Sequence, residues 1–249
     1  MPRFDLDQRI IAASLEELRF VLNWVRERGE PTENPLTVLV GGWAVYAYNP
    51  WLGSIDIDLV TNRDTKDSLM RYLIAAERGY DHYRIPGVHS VYKPTDYGQG
   101  IIIDFGNRDE RYKFEGRDED LNFDSLNGQT TAKDIISIPM TVPTRSLLLL
   151  FKLKASWDRV YRIEEETSDD MFREQGKLIK DYADIIALID PAHGGRELEI
   201  NFLGEKLEDF YFLKECLRRI PENRDAVEMY NGMGQEAVRD NITRLLSLV

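Results

Sequence analysis

Two aspartates two residues apart, Asp56 and Asp58, alternate with apolar residues in Ser54-Ile55-Asp56-Ile57-Asp58-Leu59-Val60. On an extended strand, side chains at i and i+2 leave the same face, so the two carboxylates project together while Ile55, Ile57 and Leu59 are buried. Parallel carboxylates at a sheet rim repel each other unless a cation lies between them. The spacing therefore predicts a divalent metal, most simply Mg²⁺ on oxygen ligands. A third acid, Asp104, closes the run Ile101-Ile102-Ile103, where packing alone would call for a neutral residue. Upstream, Gly41-Gly42 follow the apolar run Leu36-Thr37-Val38-Leu39-Val40. Glycines leaving a strand let backbone N–H groups approach an anion with no Cβ in the way. Metal and anion cradle together point to a nucleoside triphosphate site, with Gly41, Gly42 and Ser54 on its nucleotide side.

The elements that must position these residues can be read from periodicity. Ile10, Ile11, Leu15, Leu18, Leu22 and Val25 recur at helical spacing, which predicts an amphipathic helix over 6–28 ended by Gly29 and Pro31. Strands are expected at 36–40 and 54–60, with a short apolar helix from Trp43 to Tyr48 and a break at Pro50 between them. A helix from Thr65 to Arg78 stops at Gly79, one or two strands lie between Tyr80 and Tyr92, and Ile101 to Phe105 is a buried strand. Residues 106–134 are polar, and Lys113 to Asp120 reads as an exposed loop, hairpin or flap. Ile135 to Val142 is again extended. After Pro143, which suits a first helical turn, every strong signal is helical: Arg145 to Tyr161, Phe172 to Ile189, Leu203 to Arg219 and Glu236 to Leu248. The fold class is α+β, a small mixed sheet with flanking helices over 1–142 followed by a helical bundle over 143–249.

The helical half carries its own charged constellations. Lys152, Ala155 and Arg159 share one helix face, whereas Lys154 points about 200° away from Lys152 on an ideal helix. On the next helix, Asp181 and Asp184 are three apart and share a face while Tyr182, Ile185 and Ile186 look into the core. Carboxylates opposite Lys152 and Arg159 would form an ion network between the two helices. Such a network is a sufficient structural role, and it becomes functional where it borders a cleft in which a cation can grip a phosphate.

Composition narrows the classes. A chain of 249 residues with 43% hydrophobic content can bury a sizeable core and divide into two units. It has no apolar stretch near the roughly 20 residues that cross a bilayer, and Met1 to Asp7 lacks a signal-peptide core, so a cytoplasmic protein without membrane partners is expected. One cysteine, Cys216, excludes an intramolecular disulfide, and with His82, His89 and His193 it offers no zinc spacing. Cys216 falls in a helix's apolar stripe and reads as a packed thiol. A net charge of −12 argues against broad electrostatic coating of nucleic acid. The acidic runs Glu164-Glu165-Glu166 and Asp169-Asp170 read as a solvated loop.

Gly41-Gly42, Asp56-x-Asp58, Asp104, Lys152-Leu-Lys-Ala155-x-x-x-Arg159 and Lys180-Asp181-x-x-Asp184, taken in this order, resemble the nucleotidyltransferases of the DNA polymerase β-type superfamily, and more closely the branch of AbiEii-type toxins and minimal nucleotidyltransferases. The resemblance covers roughly residues 36–190. It implies that Asp56 and Asp58 bind one or two Mg²⁺ ions, with Asp104 as a third ligand. It also implies that Lys152, aided by Arg159, contacts the triphosphate of an NTP, and that Asp181 is important for activity. The implied reaction is nucleotidyl transfer to an acceptor hydroxyl, on a tRNA end, a protein side chain or a small molecule such as an aminoglycoside, and the branch implies the toxin of a toxin–antitoxin pair with a cognate antitoxin as partner. Two positions depart from the family pattern: Gly42 stands where many members have serine, and Trp51-Leu52-Gly53 stands where an arginine often precedes the Asp-x-Asp strand. Two other readings compete: a nucleotide-binding or structural module without turnover, and a metal-dependent phosphohydrolase.

Overall fold

A computed structural model describes residues 7–30, 35–76, 78–83 and 90–249. The start of the chain, Pro31 and His89 lie outside the described residues. The chain forms two compact units. The first takes the chain to Ala47 together with Leu52–Glu110 and Phe123–Pro143; the second takes Tyr48–Trp51, Arg111–Asn122 and Thr144–Val249.

In the first unit, helix α1 (Gln8–Glu27) is capped by the Asp7 carboxylate, which accepts from Arg9 N. It buries Ile10, Ile11, Leu18, Val21, Leu22 and Val25, the stripe its sequence spacing predicts. Strand β1 (Val38–Val40) runs straight into helix α2 (Gly41–Tyr48). Strand β2 (Ile57–Thr61) is followed by helix α3 (Arg63–Ala75), whose N-cap Asn62 accepts from Thr65 N. Strands β3 (Asp81–His82), β4 (Ser90–Lys93) and β5 (Ile101–Asn107) complete a five-stranded sheet in the order β1-β2-β5-β4-β3. Only the β2–β5 pair is parallel, so the sheet is mixed. Ile57, Leu59, Ile101 and Ile103 are fully buried beneath it with Trp43.

Strand β2 begins later than the sequence pattern suggests. Ser54 lies in irregular chain and Asp56 in a bend just before the strand. The neighbouring β1 is three residues long and pairs only Val38, Leu39 and Val40 with Val60, Leu59 and Asp58, so it offers no ladder to residues before Ile57. Ile55 is correspondingly half-buried rather than part of the core.

A separate hairpin, β6 (Thr130–Ile135) and β7 (Ile138–Pro143), lies with β7 beside β1. Its two-residue turn, Ile136 and Ser137, holds φ at 55° and 64°. That is the positive-φ pair a type I′ turn requires, here without the usual asparagine or glycine. Because β6 is largely polar, it is hidden within the segment that composition marks as loop.

The second unit is built on helices α4 (Arg145–Glu164) and α5 (Met171–Ile189), packed on each other and joined by α6 (Ile200–Asp209), α7 (Leu213–Arg219), α8 (Arg224–Tyr230) and α9 (Gln235–Leu248). The expected single helix from Leu203 to Arg219 is two, interrupted at Phe210-Tyr211-Phe212. The break lets Phe210 and Phe212 both meet Phe114, with ring centroids 5.1 and 5.0 Å away. Helix α8 is too short to show a helical period; its ends are marked by Asn223, which accepts from Ala226 N, and by Asn231 in the left-handed region.

The hairpin around Lys113 and Asp120 is not an exposed flap. Phe114 is 1% exposed. Glu115 N donates to Asp158 Oδ1 at 3.0 Å, Trp157 Nε1 donates to Glu115 O at 3.0 Å, and Lys154 Nζ donates to Lys113 O at 2.8 Å. These bonds tie the hairpin to α4. The division of the chain thus differs from a single cut at residue 143 in two stretches, Tyr48–Trp51 and Arg111–Asn122: buried Asn49 donates to Ala187 O and Tyr230 Oη, and Phe114 is buried against Phe210 and Phe212.

Candidate functional site

Two of the three candidate acids of the first unit, Asp58 and Asp104, stand in one row across the sheet. Val40 on β1 is paired with Asp58 on β2, Asp58 with Asp104 on β5, and Asp104 with Ser90 on β4. Cross-strand partners share a face, and neighbouring strands are about 4.8 Å apart, so Asp58 and Asp104 stand side by side. The Ser90 hydroxyl donates to Oδ1 of Asp104. Ser90 is 2% exposed, while both aspartates are half-buried.

Gly41 bounds this row. Its φ is +65°, and a Cβ added there would fall on the Asp58 carboxylate, 2.6 Å from its Cγ. The carboxylate thus rests against bare backbone where β1 turns into α2, a place open only to glycine. Gly42 is buried in the first turn of α2. Asp56 precedes the row in the bend before β2, and Ser54 lies two residues further back.

Among the described residues, no group of three or more His, Cys, Asp or Glu side chains is gathered closely enough to hold a metal ion. The expected trio is therefore not gathered: Asp58 and Asp104 stand in register, and Asp56 lies in the bend before β2. Such a donor set suits Mg²⁺, which is commonly held by one or two carboxylates with the remaining positions filled by water and substrate phosphates rather than by an all-protein cage.

The helical unit holds a separate network. Lys152 Nζ on α4 lies 2.9 Å from Asp181 Oδ1 and 2.8 Å from Asp184 Oδ2 on α5. Arg159 Nε donates to Asp181 Oδ2 at 2.7 Å, and its Nη1 to Glu174 Oε2 at 2.9 Å. Lys180 donates to Asp184 Oδ1 and stands over the Trp51 ring, 4.9 Å from its centroid. Asp184 is fully buried, and Asp181 and Lys152 nearly so.

Burial works against every charge in this network, and the partners decide the outcome. Burial would depress the Lys152 ammonium, but the charges of Asp181 and Asp184 outweigh it and raise its pKa. Burial would raise Asp181, but Lys152 and Arg159 hold it well below the ordinary carboxylate value. For Lys180, burial dominates and lowers the pKa despite Asp184. The ion network expected between the two helices is thus present, and Lys154 turns away from it to Asp158, 2.6 Å distant.

Ser90 escaped sequence reading. Its signal would have been a small hydroxyl alternating with the core residue Val91, a weak cue until register places it opposite Asp104.

No protein-family model and no curated protein matches this chain. Among solved structures it is similar to the lincosamide antibiotic adenylyltransferase LnuA in its lincomycin-bound form, at 13% identity over 55% of this chain and 84% of that one, with a TM-score of 0.37. It is also similar to an antigenic nucleotidyltransferase-like protein from Paracoccidioides brasiliensis, at 12% identity over 84% of this chain and 93% of that one, with a TM-score of 0.42.

Proposed function

We propose that this protein transfers a nucleotidyl group from an NTP to an acceptor hydroxyl. The observation that carries the reading is the pairing of Asp58 with Asp104 on neighbouring parallel strands, with the Asp58 carboxylate seated against Gly41 at the start of α2. In this reading Asp58 and Asp104 would hold Mg²⁺, while Asp56, which the resemblance assigns to the same ion, lies in the bend before β2 and is not gathered closely enough with them to complete a trio. A bound Mg²⁺ would supply Lewis-acid stabilisation of charge on the triphosphate. The acceptor oxygen bonds to the α-phosphorus while the bond to pyrophosphate breaks, and the hydroxyl proton leaves to water. Asp104 serves the acceptor side, and the backbone at Gly41 and Gly42, with Ser54, serves the nucleotide. The family resemblance assigns Lys152 and Arg159 to the triphosphate and Asp181 to activity; in this fold the three belong to the ion network of the helical unit, where Asp181 fixes the position of both cations.

The acceptor in this reading is an RNA end or a protein side-chain hydroxyl. A net charge of −12 disfavours long nucleic acid but leaves room for an inserted end. A toxin role with an antitoxin partner follows from the family resemblance alone.

The test incubates the protein with Mg²⁺ and each α- or γ-labelled NTP, with and without total tRNA or cell extract. α-Label moving to a macromolecule supports transfer, free γ-phosphate supports a phosphohydrolase, and neither supports a binding module. Asp58→Asn is expected to keep the fold and abolish metal-dependent nucleotide binding; unchanged binding would remove the metal assignment.

A further inference from the structure

Two tyrosines continue the sheet face beyond Asp104, and what they add deepens the reading of nucleotidyl transfer and rests on it. Tyr92 lies two residues past Ser90 on β4 and pairs with Ile102, so it shares the face of Asp104. Its partner on β3 is Asp81; Tyr83 lies two residues further on, and its N–H donates to Ser90 O at 3.1 Å. Both phenols therefore leave the face that carries Asp58 and Asp104. Their ring centroids are 5.8 Å apart with the planes tilted by 32°, and both residues are half-buried. Gly100 makes room for the second ring, because a Cβ there would fall on the Tyr92 phenol. We infer that Tyr83 and Tyr92 form a stacking platform for the terminal base of a single-stranded RNA, and that the platform brings that nucleotide's hydroxyl to the Asp104 side of the site.

The order of the strands places the platform. Gly41 and Asp58 belong to the β1 and β2 side, which serves the nucleotide, whereas the tyrosines lie past Asp104 on β4 and at the end of β3, on the acceptor side. Tyr83 stands two strands, about 10 Å, from Asp104, a span that one nucleotide bridges. Aromatic side chains on a sheet face take a base by its π-face. Stacking draws little on phosphate charge, which suits a chain of net charge −12. A peptide acceptor would instead gain most by adding a strand to the sheet's outer edge. Strand β3 is only two residues long, and because the Tyr83 N–H points to β4, that of His82 points away from it, where Asp81 Oδ1 accepts it at 2.7 Å. The edge a peptide would extend is thus already closed.

The experiment titrates the full chain, with Mg²⁺ and no NTP, into a single-stranded RNA whose 3′ nucleotide carries a fluorescent adenine analogue, with the same RNA ending in an abasic sugar as competitor and circular dichroism as the check on folding. The wild type is expected to quench the analogue saturably and to bind the abasic end about tenfold more weakly or worse. Tyr83→Ala and Tyr92→Ala are each expected to lose about tenfold or more in affinity and to raise the acceptor KM in the transfer assay while the KM for NTP holds. Tyr83→Phe and Tyr92→Phe, which keep the rings, are expected to stay at the wild-type values. Equal binding of the two RNA ends, or Ala variants that match the wild type, overturns this inference. If Tyr92→Ala does not fold, the two RNA ends and Tyr83→Ala decide it. Transfer to protein and not to RNA overturns the inference and leaves nucleotidyl transfer standing. Transfer to no acceptor removes that reading and this inference with it.

Discussion

The carboxylate of Asp58 occupies the space that a side chain at residue 41 would need: a Cβ on Gly41 would stand 2.6 Å from Asp58 Cγ. Two residues 17 positions apart in sequence are thus locked to one another, one by having a carboxylate and the other by having nothing. Gly41→Ala should therefore act twice. The left-handed φ costs about 1–2 kcal/mol for a residue with a Cβ, and the methyl group must displace Asp58. A fall in thermal midpoint accompanied by loss of Mn²⁺ binding is expected; a fall with metal binding intact would separate Gly41 from the site.

Lys152→Ala is expected to destabilise the helical unit by about 3–5 kcal/mol, because Asp181 and Asp184 would be left buried with one cation fewer. Chemical denaturation measures this. Nucleotide titrations then separate the two roles, since a residue that grips phosphates loses triphosphate affinity more than monophosphate affinity. Equal losses would assign Lys152 to structure.

The depressed pKa of Asp181 makes stability depend on acid. Its ionised form is favoured in the fold, so its contribution is full above the ordinary carboxylate value of 3.8 and is lost as the pH falls through the lower folded-state value. Thermal midpoints from pH 7 downwards should fall more steeply for the wild type than for Asp181→Asn, which should start lower at pH 7. Parallel curves would contradict the assignment.

Cys216 is 2% exposed, and burial pushes its thiol up to about 12. Both effects suppress the thiolate that reacts with alkylating agents. Under native conditions at neutral pH, iodoacetamide should leave Cys216 unmodified, and denaturant should expose it in step with loss of helix by circular dichroism. Rapid native labelling would show that α7 opens locally.

Phe114 tests the hairpin that composition alone presents as a free loop. With Phe210 and Phe212 against its ring, Phe114→Ala is expected to cost about 3–5 kcal/mol. In the wild type, limited proteolysis should spare Arg111 and Lys113. Early cleavage there would restore the flap.

The legibility of the chain follows the length of its signals. Helices α1, α4 and α5 could be read because their apolar residues repeat over several turns, and the Lys152–Asp181–Asp184 network could be anticipated because helical spacing fixes which side chains share a face. The Asp-x-Asp and Gly-Gly positions were visible as residue types. Their contact was not, since the pairing of Asp58 with Asp104 and the seating of Asp58 on Gly41 depend on strand register, which short strands do not encode locally. The polar strand β6, the break at Phe210-Tyr211-Phe212 and the burial of Phe114 were hidden for a related reason: each is decided by a partner distant in sequence.

The chain passes between its two units five times, at residues 47/48, 51/52, 110/111, 122/123 and 143/144. A ribosome emitting this polypeptide would finish the sheet unit while Trp51 and Phe114 still waited for helices not yet synthesised. Neither half can be excised by one snip, and a fragment ending at Pro143 would carry oily rings with nowhere to go. No single cut of the backbone separates one unit from the other.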